Sequence, residues 1–313
     1  EPQRQQEANH MGYERETGWT ASFEGVVAAP LTPLGDGGEL RSDLVPPMVE
    51  FLLEGGVSAL MVGGTTAEFI TLDLQEREEL LESFVRAVDG RVPVIAHIGH
   101  VDRSKAALLA GHARDAGADA TTAIAPYYHR VSERACRDYF WTLASATPDL
   151  PFFVYNYPDA AGNPVSFAVF ESLLDLPNVA GAKHSVGAFD ELEPYLALPR
   201  HLCIMSGNDM LVPRWLRSGG RAIVSGNAAA FPDVVSSVVE AVLRGRNAEA
   251  DRSMAQLATV VELGRSGAPD RLRELLALRG IDVGRSRLTT FLAEEVPEAQ
   301  ARLARELIEQ LGD

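Results

Sequence analysis

A lysine closes the run Asn178-Val179-Ala180-Gly181-Ala182-Lys183-His184, and none of the four residues before it offers a partner for an ammonium. The pattern is that of a short strand packed on both faces, with an amine at its C-terminal end. Lysines at strand ends ordinarily lay their stems along apolar surface and leave the charge in water. An amine held among apolar groups instead loses the solvent that favours its charged form. A neutral amine attacks carbonyl carbon and forms an imine. Lys183 is therefore the candidate for Schiff-base chemistry, and the remaining sequence is read for what such chemistry needs, namely an anion site and a proton relay.

Gly63-Gly64-Thr65-Thr66-Ala67-Glu68 has the composition of an anion site. Two glycines let backbone approach a ligand closely, and successive N–H groups with two hydroxyls suit a carboxylate. A plain loop whose threonine caps the next helix is the competing reading. Phenols occur in Pro126-Tyr127-Tyr128-His129-Arg130 and in Tyr155-Asn156-Tyr157-Pro158. Each tyrosine is either a proton carrier or packing at a rim or core. Ser206-Gly207-Asn208-Asp209 and Ser225-Gly226-Asn227 add two polar turns. His97 and His100 form an H-x-x-H pair, but residues three apart on a strand face opposite ways, so no joint metal site is expected.

These residues sit at the ends of regularly repeated elements. Apolar runs at 25–31, 59–62, 92–97, 118–125, 151–156, 179–183, 202–206 and 221–226 read as strands. Helical periodicity follows them at 44–53, 74–88, 104–116, 133–144, 167–174, 189–197, 210–217 and 234–243. Repeated strand–helix units of this kind predict an α/β fold, a closed (β/α)8 TIM barrel whose chemistry lies at the C-terminal strand ends. No GxGxxG or P-loop spacing supports an open doubly wound sheet. Three further helices at 248–264, 268–278 and 298–311 predict a C-terminal three-helix extension. The expected organisation is a flexible arm at 1–21, a catalytic barrel at 22–245 and the helical extension at 246–313.

Of the 313 residues 46% are hydrophobic, enough for a sizeable core, and the formal net charge is −16. That charge argues against nucleic acid and anionic membranes as partners. No apolar run has the length of a membrane span, and residues 1–21 lack the apolar segment of a signal peptide. Cys136 and Cys203 have neither metal-like nor disulfide-framework spacing, which fits a reducing cytoplasm.

Taken together the motifs resemble the dihydrodipicolinate synthase / N-acetylneuraminate lyase family of class I pyruvate aldolases. The matching pieces are GGTTAE at 63–68, PYYHR at 126–130, YNYP at 155–158, GAK at 181–183, SGND at 206–209 and GIDVGRSR at 280–287. The resemblance implies that Lys183 forms the imine and Tyr155 shuttles protons. It implies that Thr65 relays between Tyr155 and Tyr128, the latter lent by a neighbouring subunit of a homotetramer, a dimer of dimers. It further implies that Gly64, Thr66 and local amides hold the pyruvate carboxylate, that the Val224 carbonyl lines the pocket, and that neither metal nor organic cofactor is needed.

The chain departs from the family pattern at several positions. Ala67 and Phe69 stand where many members have Gly and Ser, and Phe69 is expected to make the loop more apolar. His97 and His184 replace the common Gly and Glu. Ala160 stands where the lysine-biosynthetic enzymes carry the arginine that grips aspartate semialdehyde. An aldolase joining pyruvate to an aldehyde without that carboxylate is the expectation. A genuine 4-hydroxy-tetrahydrodipicolinate synthase using Arg130 as the cation is the alternative. A non-catalytic 2-oxo acid binder is a second alternative, but a binder has no use for a proton relay.

Overall fold

The computed structural model describes residues 22–199, 201–265, 268–288 and 297–312, so the expected arm at 1–21 lies outside the described residues. Eight strands form a closed parallel barrel in sequence order: β1 (Gly25–Ala28), β2 (Ala59–Val62), β3 (Val94–His97), β4 (Ala120–Ile124), β5 (Phe152–Asn156), β6 (Val179–His184), β7 (Cys203–Ser206) and β8 (Ala222–Ser225). Closure is made by β8 against β1, in register from Gly25↔Ala222 to Ala28↔Ser225. The strands read as continuous apolar runs because both faces are buried, one inside the barrel and one beneath the helices. Val27, Met61, Ile95, Phe153, Met205 and Val224 fill the interior. Phe23 closes the N-terminal end, its ring edge-on to Phe153 at 5.2 Å.

Helices follow most strands where periodicity places them. Asp73 caps the helix Leu74–Val88, and Glu76 completes a capping box. Two expectations fail for one reason. The 189–197 helix is a pair of 3-10 turns, Phe189–Glu191 and Glu193–Ala197, and the 210–217 helix is α-helical only over Val212–Arg217. Pro194 and Pro213 lack the N–H that would continue a preceding turn, so each can only begin a new one. The helices Asn247–Leu263, Pro269–Leu278 and Glu298–Gly312 follow the barrel.

The register slips once, where β5 meets β6. Phe152 pairs with Val179, but Phe153 pairs with Gly181. Ala180 lies in the interior cluster and Ala182 in the outer one. Unbroken alternation from Ala180 would therefore point Lys183 outward. The extra residue of the bulge resets the count, and Lys183 pairs with Tyr155 on one side and with interior Met205 on the other. A side chain at Gly181 has no room, since a Cβ there would lie 1.9 Å from the Cys203 carbonyl oxygen.

Glu68 ends the 63–68 loop in a left-handed conformation, φ 57°. Its buried carboxylate accepts hydrogen bonds from Arg273 Nε and Nη2 at 3.0 and 2.8 Å. It also accepts from Ser286 Oγ at 2.8 Å and the Arg287 amide at 2.9 Å. The loop is thus fastened to the C-terminal segment.

Candidate active site

Lys183, Tyr155, Thr65, Thr66 and Val224 line one cavity of about 420 Å³ at the C-terminal end of the barrel. The register sets Tyr155 directly beside Lys183, whose Nζ lies 4.1 Å from the phenol ring centroid. Tyr155 Oη is 3.2 Å from Thr65 Oγ1, a distance over which either hydroxyl can donate. An amine, a phenol and a hydroxyl thereby follow one another within one cavity, the amine over the ring and the two hydroxyls hydrogen-bonded. Tyr157 lies roughly parallel to Tyr155, with centroids 6.2 Å apart, and burial raises its phenol above the ordinary value.

Gly63 has φ +71°, which favours glycine, and a Cβ on Gly64 would meet nothing within 4 Å. Gly64 thus borders open space, as an anion site requires, although its own atoms do not line the cavity as the two threonines do. The polar turns after β7 and β8 join each other. Ser225 Oγ and Asn227 Nδ2 donate to Asp209 Oδ2 at 2.9 and 2.7 Å. Desolvation holds the Asp209 carboxyl above the usual carboxylate range.

Tyr128 is not in this cavity. It is 86% exposed and its backbone has φ +75°, a strained conformation for a bulky residue. Phe69 does not shape the cavity mouth either. It is buried behind the loop, edge-on to His97 at 4.5 Å and to Tyr127 at 5.5 Å. A buried aromatic there fills core, so the expected apolar entrance at Phe69 is corrected. His97 and His100 do not share a strand, contrary to the expected geometry. β3 ends at His97, and His100 lies in the following loop, where its Nδ1 accepts the Asp102 amide at 2.8 Å. Among the described residues no group of three His, Cys, Asp or Glu is placed to hold a metal.

His184 follows Lys183 but points away from the cavity, into the barrel wall. Its ring sits 4.1 Å from that of Tyr195, Asn156 Nδ2 donates to its Nδ1 at 3.2 Å, and burial pushes its pKa down to about 3. Asp159, Ser185, Gly187 and Val261 line the cavity without having been singled out. The first three follow β5 or β6 and could have been found by taking whole strand ends. Val261 comes from the helix Asn247–Leu263 and carries no local signal.

The profile of the dihydrodipicolinate synthetase family matches residues 22–307. A 4-hydroxy-tetrahydrodipicolinate synthase of Gluconobacter oxydans is 32% identical over 202 residues, 64% of this chain and 68% of that one. An N-acetylneuraminate lyase of Salmonella paratyphi B is 30% identical over 198 residues, 63% of this chain and 67% of that one. A crystal structure of a dihydrodipicolinate synthase superposes with a TM-score of 0.84 at 27% identity, covering 93% of this chain and 99% of that one. With the barrel, the strand-end lysine and the 22–307 match in agreement, the chain belongs to the dihydrodipicolinate synthetase family.

Proposed function

We propose that Lys183 forms the imine through which this chain handles pyruvate. Family membership makes the protein a pyruvate-dependent Schiff-base lyase of the dihydrodipicolinate synthase type. The observation that carries the residue assignment is the Lys183–Tyr155–Thr65 chain within one cavity. Lys183 attacks C2 of the 2-oxo acid and water leaves, giving an imine that accepts electrons. Thr66 and the amides of residues 63–66 hold the carboxylate, and the Val224 carbonyl borders the bound acid. In the cleavage direction Tyr155 takes the proton of the C4 hydroxyl and the C3–C4 bond breaks. The aldehyde departs, the enamine is protonated at C3, and hydrolysis frees pyruvate and Lys183. Condensation reverses these steps. Borohydride with pyruvate should add one reduced pyruvyl group to Lys183, as read by peptide mass. An unmodified Lys183 overturns the assignment.

Tyr155→Phe keeps the ring beside Lys183 and removes only the hydroxyl. It should still be trapped by pyruvate but lose roughly 10²- to 10⁴-fold in kcat, the range for a positioned acid–base group. A near wild-type rate would place the proton carrier elsewhere.

The second substrate in this reading is an aldehyde without a carboxylate. Asp159 and Asp209 both line the cavity, and Lys183 is the one basic residue among its described lining. Ala160 is exposed, and Arg130 Nη1 donates to the Gly162 carbonyl at 3.3 Å, outside the cavity lining. An unpaired carboxylate buried there would cost several kcal/mol. At saturating pyruvate, kcat/KM should be higher for neutral aldehydes than for aspartate semialdehyde. Ala160→Arg should raise use of the latter at least about tenfold, ~1.4 kcal/mol. Aspartate semialdehyde as the best wild-type substrate would favour the synthase reading.

The same proposal takes Tyr128 as a group offered to a second copy of the chain, in a homotetramer built as a dimer of dimers. Its exposure and strained backbone support this, and sedimentation analysis tests it. A cytoplasmic location and the division into barrel and helical extension at 245/246 belong to this reading. No helix among the described residues is long and apolar enough to cross a membrane.

A further inference from the structure

The mechanism above leaves His97 without a task, yet this side chain is buried at the end of β3, between the cavity and the helix Leu74–Val88. Its Nδ1 lies 2.9 Å from the Gly63 carbonyl oxygen, which can only accept, and 3.5 Å from Arg77 Nη2, which already donates to the His97 carbonyl at 2.5 Å, so the shorter contact places the proton on Nδ1. Its Nε2 then accepts from the Ile124 amide at 3.2 Å. Gly63 follows β2 and Ile124 ends β4, so one imidazole ties together the two strands flanking its own. The other neutral tautomer would set a lone pair against the carbonyl and an N–H against an N–H. The imidazolium would keep the Gly63 contact and lose the Ile124 one.

The surroundings hold the ring in this state. Arg77 Nη2 donates to the His97 carbonyl at 2.5 Å and Nη1 to the Gly99 carbonyl at 2.8 Å. Phe69 packs edge-on against the imidazole, and the Tyr155 ring lies 6.2 Å away on the cavity side. Burial, then the Arg77 guanidinium, keep the imidazole well below its ordinary pKa. What the ring grips is the first residue of the loop that begins with two glycines, the segment with the greatest freedom to lose.

We propose that His97 is a positioning residue for 2-oxo acid binding, clamping the Gly63 carbonyl so that the Gly64–Thr66 amides and hydroxyls stay aimed at the carboxylate. This rests on the reading that the 63–66 loop holds that carboxylate. The test is the pyruvate concentration giving half-maximal borohydride trapping in wild type, His97→Asn, His97→Gln and His97→Leu. An asparagine amide reaches the Nδ1 position and can still donate to Gly63. A glutamine reaches the Nε2 position and can accept from Ile124 but releases Gly63. Half-saturation should rise roughly tenfold in the Gln and Leu variants, the worth of one lost hydrogen bond, and less than about threefold in Asn. The KM for the aldehyde should be unchanged in all of them. Asparagine no better than glutamine, or wild-type half-saturation in every variant, overturns the proposal. Nitrogen NMR of the wild-type imidazole tests it without any substitution, because an Nε2–H tautomer also overturns it. Failure of the wild-type protein to be trapped at all would instead sink the Lys183 reading.

Discussion

Lys183→Ala and Lys183→Arg should both lose all measurable turnover while keeping the fold. The two substitutions fail for different reasons. Alanine removes the amine and leaves a gap that opens onto the cavity, where water can enter, so the loss of stability is small. Arginine keeps a long basic side chain, but its guanidinium stays protonated and cannot form an imine with a ketone. Without the imine there is no electron sink for the C3–C4 bond, and the Tyr155–Thr65 pair has no activated carbonyl to serve. The checks are lyase activity, the borohydride mass increment with pyruvate, and thermal melting of each variant. Substantial activity in either one, after contaminating wild-type enzyme is removed, would falsify the Schiff-base assignment.

The next largest effect belongs to a residue that touches no substrate. Gly181→Ala should destabilise the barrel by about 3 kcal/mol or more, at or beyond the upper end of ordinary overpacking. The new methyl would lie 1.9 Å from the Cys203 carbonyl oxygen, a backbone atom that cannot swing aside as a side-chain tip can. Relief must come from parting β6 and β7 or from undoing the bulge. Undoing the bulge restores simple alternation and turns Lys183 toward the outer cluster. Activity should therefore fall further than the loss of folded protein explains. Gly111→Ala is the control, because a Cβ there meets nothing within 4 Å in the helix Arg103–Asp115, and alanine is the better helix former. Urea denaturation of both variants, with kcat measured on the folded fraction, decides the matter. A Gly181→Ala protein as stable and active as wild type would show that the close approach of β7 is dispensable.

The barrel was legible because parallel strands buried on both faces leave uninterrupted apolar runs, and eight of them recur between helical stretches. Lys183 was legible as the charged residue ending such a run. The bulge that aims it was not, because Ala180, Gly181 and Ala182 are all small and apolar, and no polar residue among them marks which face each one takes. Phe69 was misplaced for a related reason, since a single aromatic after a polar loop can turn to the cavity or away from it. His97 was visible as a residue type, but pairing it with His100 by strand spacing hid that its partners are the backbone groups of Gly63 and Ile124. The two proline-broken helices were readable in principle, for Pro194 and Pro213 sit inside the expected spans.

The Glu68 cluster has a consequence for how the protein is made. The bonds from Arg273, Ser286 and the Arg287 amide join positions 205, 218 and 219 residues apart. Contacts of that separation form late, because a long loop of chain must be closed before they give anything in return. On the ribosome β2 and its loop emerge long before the segment that neutralises Glu68. Until then the chain carries an unpartnered carboxylate where the finished protein has a buried one, and this opposes early docking of the loop. Complete barrel strands can exist on a nascent chain whose 63–68 loop is still open. The loop after β2 is then the last part of the cavity to be fixed, by a segment more than two hundred residues downstream.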